Sequence, residues 1–347
     1  MMDSYGRQIG YWLMAAFVAA AAVAGCGNNR ELVFTGRTMG TAYHVKVVAS
    51  RFHRVGSLQS RIDKRLNEIN QSMSTYLPDS EISRFNALDK VGAKFSISED
   101  FYQVMAVARR IHGLSDQAWD PTVWPLVELW GFGRSESKRI IPDASQIESR
   151  CKRVGLEHIL LSGDKALVKR TAHVQLDLAS IAKGYGVDQV SALLRNTGYA
   201  DFLVEIGGEV YASGIRSDGK PWRIGINRPD KDARHDDVYK VVRLHNAGFA
   251  TSGDYRNFFE RHGRRYSHVI DPRTGYPVSN AVVSASVIAD SCTFADGLAT
   301  ALMVLGPEKG LEVVAALDGV ECLIIVREED GSLMEHGSKD FRRCVMK

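Results

Sequence analysis

Phe202-Leu203-Val204-Glu205-Ile206-Gly207-Gly208-Glu209-Val210-Tyr211-Ala212 places two β-rich runs, Phe202 to Ile206 and Val210 to Ala212, on either side of a glycine pair. β-Branched and aromatic residues suit a pleated surface. The glycines mark a bulge, a tight turn or a close backbone approach to a ligand. No helical pattern intervenes before the next runs, Trp222 to Ile226 and Tyr239 to Leu244. Working outward, strands are expected at Thr41 to Val48, His158 to Leu161, Ala166 to Lys169, Val174 to Leu176, Ser267 to Ile270 and Val282 to Ala289, with Cys322 to Val326 last. Leu58, Ile62, Leu66, Ile69 and Met73 recur at helical spacing. Further helices are expected at Asp100 to His112, Ser180 to Arg195, Thr293 to Leu305 and Pro307 to Leu317. Another is opened by Pro142 and Asp143, contains Ile147 and Val154, and has Gly155 just past its end. Strands in runs with grouped helices predict an α+β fold, not an alternating α/β one. The charged stretch Asp230 to Asp237 reads as an exposed loop.

With 31 glycines and 9 prolines in 347 residues, collagen-like and disordered classes are excluded. The 44 basic and 41 acidic residues nearly balance, for a net charge of +3, which argues against a dedicated nucleic-acid binder.

Ile9 to Ala24 is the one long apolar run, which excludes a polytopic membrane protein. As a helix it would span roughly 24 Å, short of the roughly 30 Å hydrocarbon core. Arg7 and the terminal amine precede it, and Val23-Ala24-Gly25-Cys26 follows. This is the pattern of a secretory signal, and it resembles a bacterial lipobox. The resemblance implies a signal peptide over 1–25, a lipid-modified Cys26 and a mature body over 26–347. The alternative is a plain signal peptide with an incidental cysteine. A double acyl anchor would hold the body at the membrane, facing the periplasm. Gly27 carries no acidic retention signal, so both the inner and the outer membrane stay open. Cys151, Cys292, Cys322 and Cys344 match no zinc spacing. Outside the cytoplasm they are as compatible with free thiols as with disulfides.

Four segments could carry chemistry. In Gln175 to Asp188, a strand ends at Asp177 and a helix opens with Ser180 as a natural N-cap and Lys183 in its first turn. Such a terminus suits phosphate, or it is simply a capped helix with a solvated lysine. Asp296 and Thr300 lie four apart on a helix and face one way. They would form a partial shell for a hard cation, or a dipole-favouring acid beside a core threonine. His268 precedes a Pro- and Gly-containing turn and shares a strand face with Ile270. It would serve as a general base or merely bond the turn. Gly207-Gly208-Glu209 and Thr251-Ser252-Gly253 are glycine punctuation. Tyr76, Trp119, Trp124, Trp130 and Phe132 would stack on a flat ring or fill the core.

Taken together these segments resemble the ApbE family, the FAD:protein FMN transferases. The resemblance runs through Thr38-Met39-Gly40-Thr41, Met73-Ser74-Thr75-Tyr76, Ser80 to Asn86, Asp120-Pro121-Thr122 and Leu129 to Gly133. It continues through Asp177 to Gly184, Glu205 to Glu209, Thr251 to Gly253, Ser267 to Gly275 and Ala295 to Thr300. It implies a T-fold-like core of antiparallel sheet with packed helices. It also implies a magnesium-dependent enzyme that splits FAD, its substrate, at the pyrophosphate. FMN is then joined by a phosphoester bond to a threonine (or serine) of an acceptor protein, and AMP is released. The acceptors it implies are extracytoplasmic redox proteins with an FMN-binding domain, at the inner membrane, which favours the periplasmic face of that membrane over the outer one for the anchored body.

By the same resemblance FAD contacts fall on Met39, Tyr76, Asp120, Pro121, Thr122, Asp177, Lys183 and Ile270. Metal ligands fall on Ser180, Asp296 and Thr300, Ser180 through its hydroxyl or its backbone carbonyl. One Mg²⁺ is implied, or two. Ala299 stands where some relatives carry another aspartate, which counts against the second. Lys183 would neutralise phosphate charge, and His268 or Asp271 would take the acceptor's proton. Two other readings stay open: a metal-dependent FAD pyrophosphatase giving FMN and AMP, and a non-enzymatic FAD-binding lipoprotein.

Overall fold

The structure is a computed structural model that describes residues 29–50, 56–133, 139–230, 232–234, 237–255 and 257–346. The expected signal peptide and Cys26 lie outside the described residues. Among those described, no helix is long and apolar enough to cross a membrane.

Strands β1 (Asn29–Thr38) and β2 (Thr41–Ser50) form a hairpin closed by Met39 and Gly40. Both turn residues have positive φ, 49° and 74°, the conformation that matches the twist of a two-residue hairpin. Next come α1 (Leu58–Met73), α2 (Glu81–Asn86), β3 (Lys94–Ser96), α3 (Glu99–Leu114), α4 (Trp124–Leu129) and α5 (Ala144–Cys151). Then follow β4 (Ile159–Ser162), β5 (Ala166–Lys169), α6 (Ala182–Asn196), β6 (Phe202–Ile206), β7 (Glu209–Ser213), β8 (Trp222–Asn227) and β9 (Val238–Leu244). The chain continues through β10 (Ala247–Gly253), β11 (Phe258–Arg261), β12 (Arg264–Ser267), β13 (Val282–Ala289) and α7 (Cys292–Leu305). It ends with α8 (Pro307–Ala315), β14 (Glu321–Arg327), β15 (Leu333–Gly337) and α9 (Phe341–Cys344).

One eight-stranded sheet dominates, in the order β1-β2-β6-β7-β10-β13-β14-β15, with every pairing antiparallel. Helices α6 and α7 pack on the sheet and on each other. A second apolar layer, with Trp222, Ile226, Val242 and Leu244 of the β8–β9 ribbon, packs against Val48, Val210, Phe249 and Ile325. All eight residues of β13 are therefore buried, as expected for a strand covered on both faces. The α+β class with antiparallel sheet and packed helices is as expected.

Several boundaries differ from the sequence reading. Val174 to Leu176 is not a strand. Its Leu176 N–H donates to Asn86 Oδ1 at 2.7 Å and its carbonyl accepts from Asn86 Nδ2 at 2.8 Å, so a side-chain amide replaces a ladder partner. Helix α5 stops at Cys151, before Val154. Helix α6 starts at Ala182, with Ile181 rather than Ser180 at its N-cap. Strand β15 follows the expected last strand. The four described cysteines are free thiols.

The α6–α7 contact is unusually close. A Cβ at Gly184 would meet the Cys292 carbonyl oxygen and lie 2.8 Å from Asp296 Cβ. Replacing Gly184 with Ala gains about 1 kcal/mol of helix propensity but overpacks a backbone contact, which costs about 1–3 kcal/mol or more. We expect Gly184→Ala to lower the midpoint of denaturant unfolding; an unchanged or raised midpoint would show that the helices can separate freely.

Candidate active site

Two cavities meet beside the start of α6. One, of about 400 Å³, is lined by Lys183, Glu209, His268, Ile270, Asp296 and Thr300 among others. The other, of about 760 Å³, is more apolar and includes Met39, Ile69, Met73 and Leu77. Tyr76, Asp177, Ala179 and Lys183 line both.

The floor is built by helix ends. Asp188 on α6 accepts from Ser291 Oγ (2.7 Å), the Cys292 and Thr293 N–H groups (2.9 Å each) and Thr293 Oγ1 (2.6 Å). These bonds satisfy orphan donors of the first turn of α7 and place a negative charge at its positive end. One turn on, Asp296 is buried, and its Oδ2 accepts the Gly184 N–H at 2.9 Å. Thr300 Oγ1 lies 2.9 Å from Ser252 Oγ on β10. Ser180 caps no helix; its hydroxyl accepts from Trp119 Nε1 at 3.0 Å.

Lys183 Nζ lies 2.7 Å from Glu209 Oε1 and 3.9 Å from Asp296 Oδ1. Burial works against the ammonium, but the Asp296 and Glu209 carboxylates outweigh it and hold Lys183 above its ordinary pKa. Burial and the nearby Asp296 charge push Glu209 up to about 8. Burial likewise raises Asp296, against the pull of Lys183. Two buried carboxylates thus share one ammonium. The expected metal positions supply a carboxylate, a hydroxyl and a backbone carbonyl, and Glu209 adds an oxygen with no hydrogen-bond partner. This all-oxygen donor set fits a hard divalent cation that keeps some of its waters. Among the described residues no three His, Cys, Asp or Glu side chains gather as a metal cluster, so such an ion would rely on neutral oxygens and substrate.

In the same cavity His268 Nδ1 lies 3.0 Å from the Asn257 carbonyl. A carbonyl only accepts, so Nδ1 carries the proton and Nε2 is left as the acceptor. Burial lowers the His268 pKa from 6.5; the Asn257 bond opposes this, while the Arg139 and Arg265 charges reinforce it. Phe132 packs edge-on to the imidazole at 6.3 Å.

The remaining predicted residues divide. Asp177 accepts Ala179 N–H at 2.9 Å and faces both cavities. Tyr76 is 76% exposed and lines both cavities. Met39 lies in the larger cavity and Ile270 in the smaller. Asp120 lines the smaller one but is heavily bonded: to Thr122 N–H (2.7 Å), Thr122 Oγ1 (2.5 Å) and Leu156 N–H (3.0 Å), with His112 Nε2 at 3.2 Å. Burial opposes ionisation of Asp120, but these partners outweigh it and hold the carboxyl below its ordinary pKa. Pro121 and Thr122 sit behind that wall; the Pro121 carbonyl accepts the Asp177 N–H at 2.7 Å. Asp271 lies off both cavities, its carboxylate held by Arg273 Nε (2.9 Å) and Nη2 (2.8 Å). That leaves His268 as the base candidate with geometry on its side. Of the aromatics, Trp130 is core, stacked on Tyr266 and donating to the Gly275 carbonyl. Glu209 and Ser252 were visible in sequence only as glycine punctuation. The signal for Glu209 was its place directly after two glycines, both of positive φ.

A family model described as the ApbE family matches residues 39–324. The FAD:protein FMN transferase of Vibrio cholerae is 42% identical over 338 residues, which span 97% of this chain and 99% of that protein. The protein of the same name from Haemophilus influenzae is 40% identical over 93% of this chain and 94% of its own. Among solved structures, the flavin transferase ApbE of Vibrio cholerae superposes with a TM-score of 0.82 at 40% identity, covering 91% of this chain and 99% of that one. The apo flavinyl transferase ApbE of Pseudomonas stutzeri gives 0.81 at 39%, covering 91% and 97%. With its fold, its motifs and nearly its whole length matched, the chain belongs to the ApbE family.

Proposed function

We propose that this chain is a magnesium-dependent FAD:protein FMN transferase. It cleaves FAD, forms a phosphoester between FMN and a threonine or serine hydroxyl of an acceptor protein, and releases AMP. The observation that carries the reading is the pair of cavities joined at Lys183. FAD has two bulky ends linked by a pyrophosphate. Two pockets with a cation at their junction suit that shape, with the reacting phosphorus near Lys183.

Asp296, Thr300 and the Ser180 carbonyl would hold the magnesium ion, which supplies charge neutralisation at the phosphoryl oxygens. Lys183 stabilises the same developing charge. His268 Nε2 accepts the proton as the acceptor oxygen bonds to the FMN phosphorus, and the bond from that phosphorus to the oxygen bridging to AMP breaks. Asp177 and Tyr76 orient the nucleotide, and Asp120 braces the wall beside them through its bonds to Thr122 and Leu156. The lipobox-like Val23 to Cys26 supports a lipid anchor and a periplasmic-face location, where acceptors with FMN-binding domains would be met.

Incubation with FAD, Mg²⁺ and such a domain should raise the acceptor's intact mass by one FMN unit, with loss of the gain on chelation. AMP and free FMN without a mass gain would favour the pyrophosphatase, and FAD binding without AMP the carrier. Asp296→Ala should abolish transfer; full activity would refute the metal assignment.

The pH dependence follows from His268. Its pKa lies below 6.5, so the imidazole is already in its neutral, accepting form at neutral pH. The acid limb of kcat/KM should therefore fall below pH 6.5. Arg139→Gln removes a charge that disfavours the imidazolium and should move that limb upward. A limb that stays put in this variant, together with retained transfer in His268→Ala, would remove His268 from the base role.

A further inference from the structure

Glu209 opens β7 directly after Gly207 and Gly208, whose φ values of 61° and 105° turn the chain sharply enough to aim its side chain back at α6. The side chain is 4% exposed. Its Oε1 is committed to Lys183 at 2.7 Å. Its Oε2 is one of four buried polar atoms without a hydrogen-bond partner among the described residues, and of those four residues Glu209 alone lines the smaller cavity. Buried carboxylate oxygens are rarely left unpaired, because desolvation is then uncompensated. The cavity that Glu209 lines gives Oε2 access to a partner from outside the chain.

Charge selects its class. Glu209 and Asp296 both lie within 4 Å of Lys183 Nζ, so this corner carries two negative charges against one positive when ionised. A phosphate facing it directly would be repelled. A divalent cation reverses the sign and gives Oε2 a partner, either directly or through a water that the ion retains. Resting on the magnesium reading above, we propose that Glu209 is a further carboxylate of the cation site, with Oε1 positioning Lys183 and Oε2 receiving the ion or its bound water.

The test uses the full-length chain in detergent, with Mn²⁺ as an electron paramagnetic resonance probe and FAD binding followed separately by fluorescence without divalent metal. Glu209→Gln should weaken Mn²⁺ binding about 10-fold or more and change metal-free FAD affinity by a much smaller factor, the one that loss of the Lys183 ion pair brings. Glu209→Asp keeps the charge but withdraws the oxygens; it should bind Mn²⁺ with intermediate affinity and decides the matter if the Gln variant does not fold. Mn²⁺ affinity within about twofold of the unaltered chain in both variants would overturn the proposal. So would a matching loss of metal-free FAD affinity, which would assign Oε2 to a nucleotide hydroxyl. If Asp296→Ala abolishes Mn²⁺ binding while the Glu209 variants do not weaken it, only the Glu209 assignment fails. Absence of Mn²⁺ binding by the unaltered chain overturns both readings.

Discussion

The hydrogen bond from the Gly184 amide to Asp296 Oδ2 depends on two helices lying closer than side chains normally permit. Glycine at 184 makes that approach possible, and Gly248 does the same where β10 meets the start of α7, since a Cβ there would lie 2.6 Å from Cys292 Cα. Helix α7 is thereby clamped between α6 and the sheet, and Asp188 fixes its first turn. Asp296, Thr300 and Lys183 inherit their positions from this packing. A carboxylate in the floor of a site can be this well ordered only if the helices beneath it cannot slide.

Order has an electrostatic cost. Asp296 and Glu209 are both nearly removed from water, and a single ammonium does not balance them. Buried charge is tolerated when paired and hydrogen-bonded. Here Asp296 Oδ2 gains the Gly184 amide and Glu209 Oε1 gains Lys183, while Glu209 Oε2 has no partner among the described residues. The imbalance is local: Asp120, a few residues along the wall, has each oxygen bonded. A buried carboxyl group is thus fully bonded at Asp120, whereas Glu209 keeps one oxygen without a hydrogen-bond partner among the described residues.

Legibility in the sequence followed the range of the interactions. Leu58 to Met73 could be read to the residue, because a helix with one apolar stripe writes its period locally. Strand β10 was missed: its Thr251-Ser252-Gly253 end looks like punctuation, and the demand for small residues in β10 comes from Cys292, distant in sequence. Leu176 looked like a strand residue because nothing near it reveals that Asn86 takes both its backbone groups. Ser180 looked like a cap until Trp119 claimed its hydroxyl. The site residues were named through the family resemblance, and the cavity gathers most of them. Asp271 was indistinguishable from Asp177 by motif alone; only the fold shows one locked to Arg273 and the other facing both pockets.

The two walls also pull their titratable groups in opposite directions. Lys183 stands among carboxylates that keep it charged, whereas His268 stands near Arg139 and Arg265, which with burial keep it neutral. In the proposed reaction, a permanent cation against phosphate and a free lone pair for a proton need different surroundings, since one shared environment would drive both groups the same way. The fold provides these by drawing the two from different layers. Lys183 comes from the α6 floor under the sheet. His268 comes from the end of the β11–β12 ribbon, where Asn257 also fixes its tautomer. On that reading, the proposed chemistry depends on the ribbon and the helices each keeping their own charged neighbours, carboxylates around Lys183 and guanidinium groups near His268.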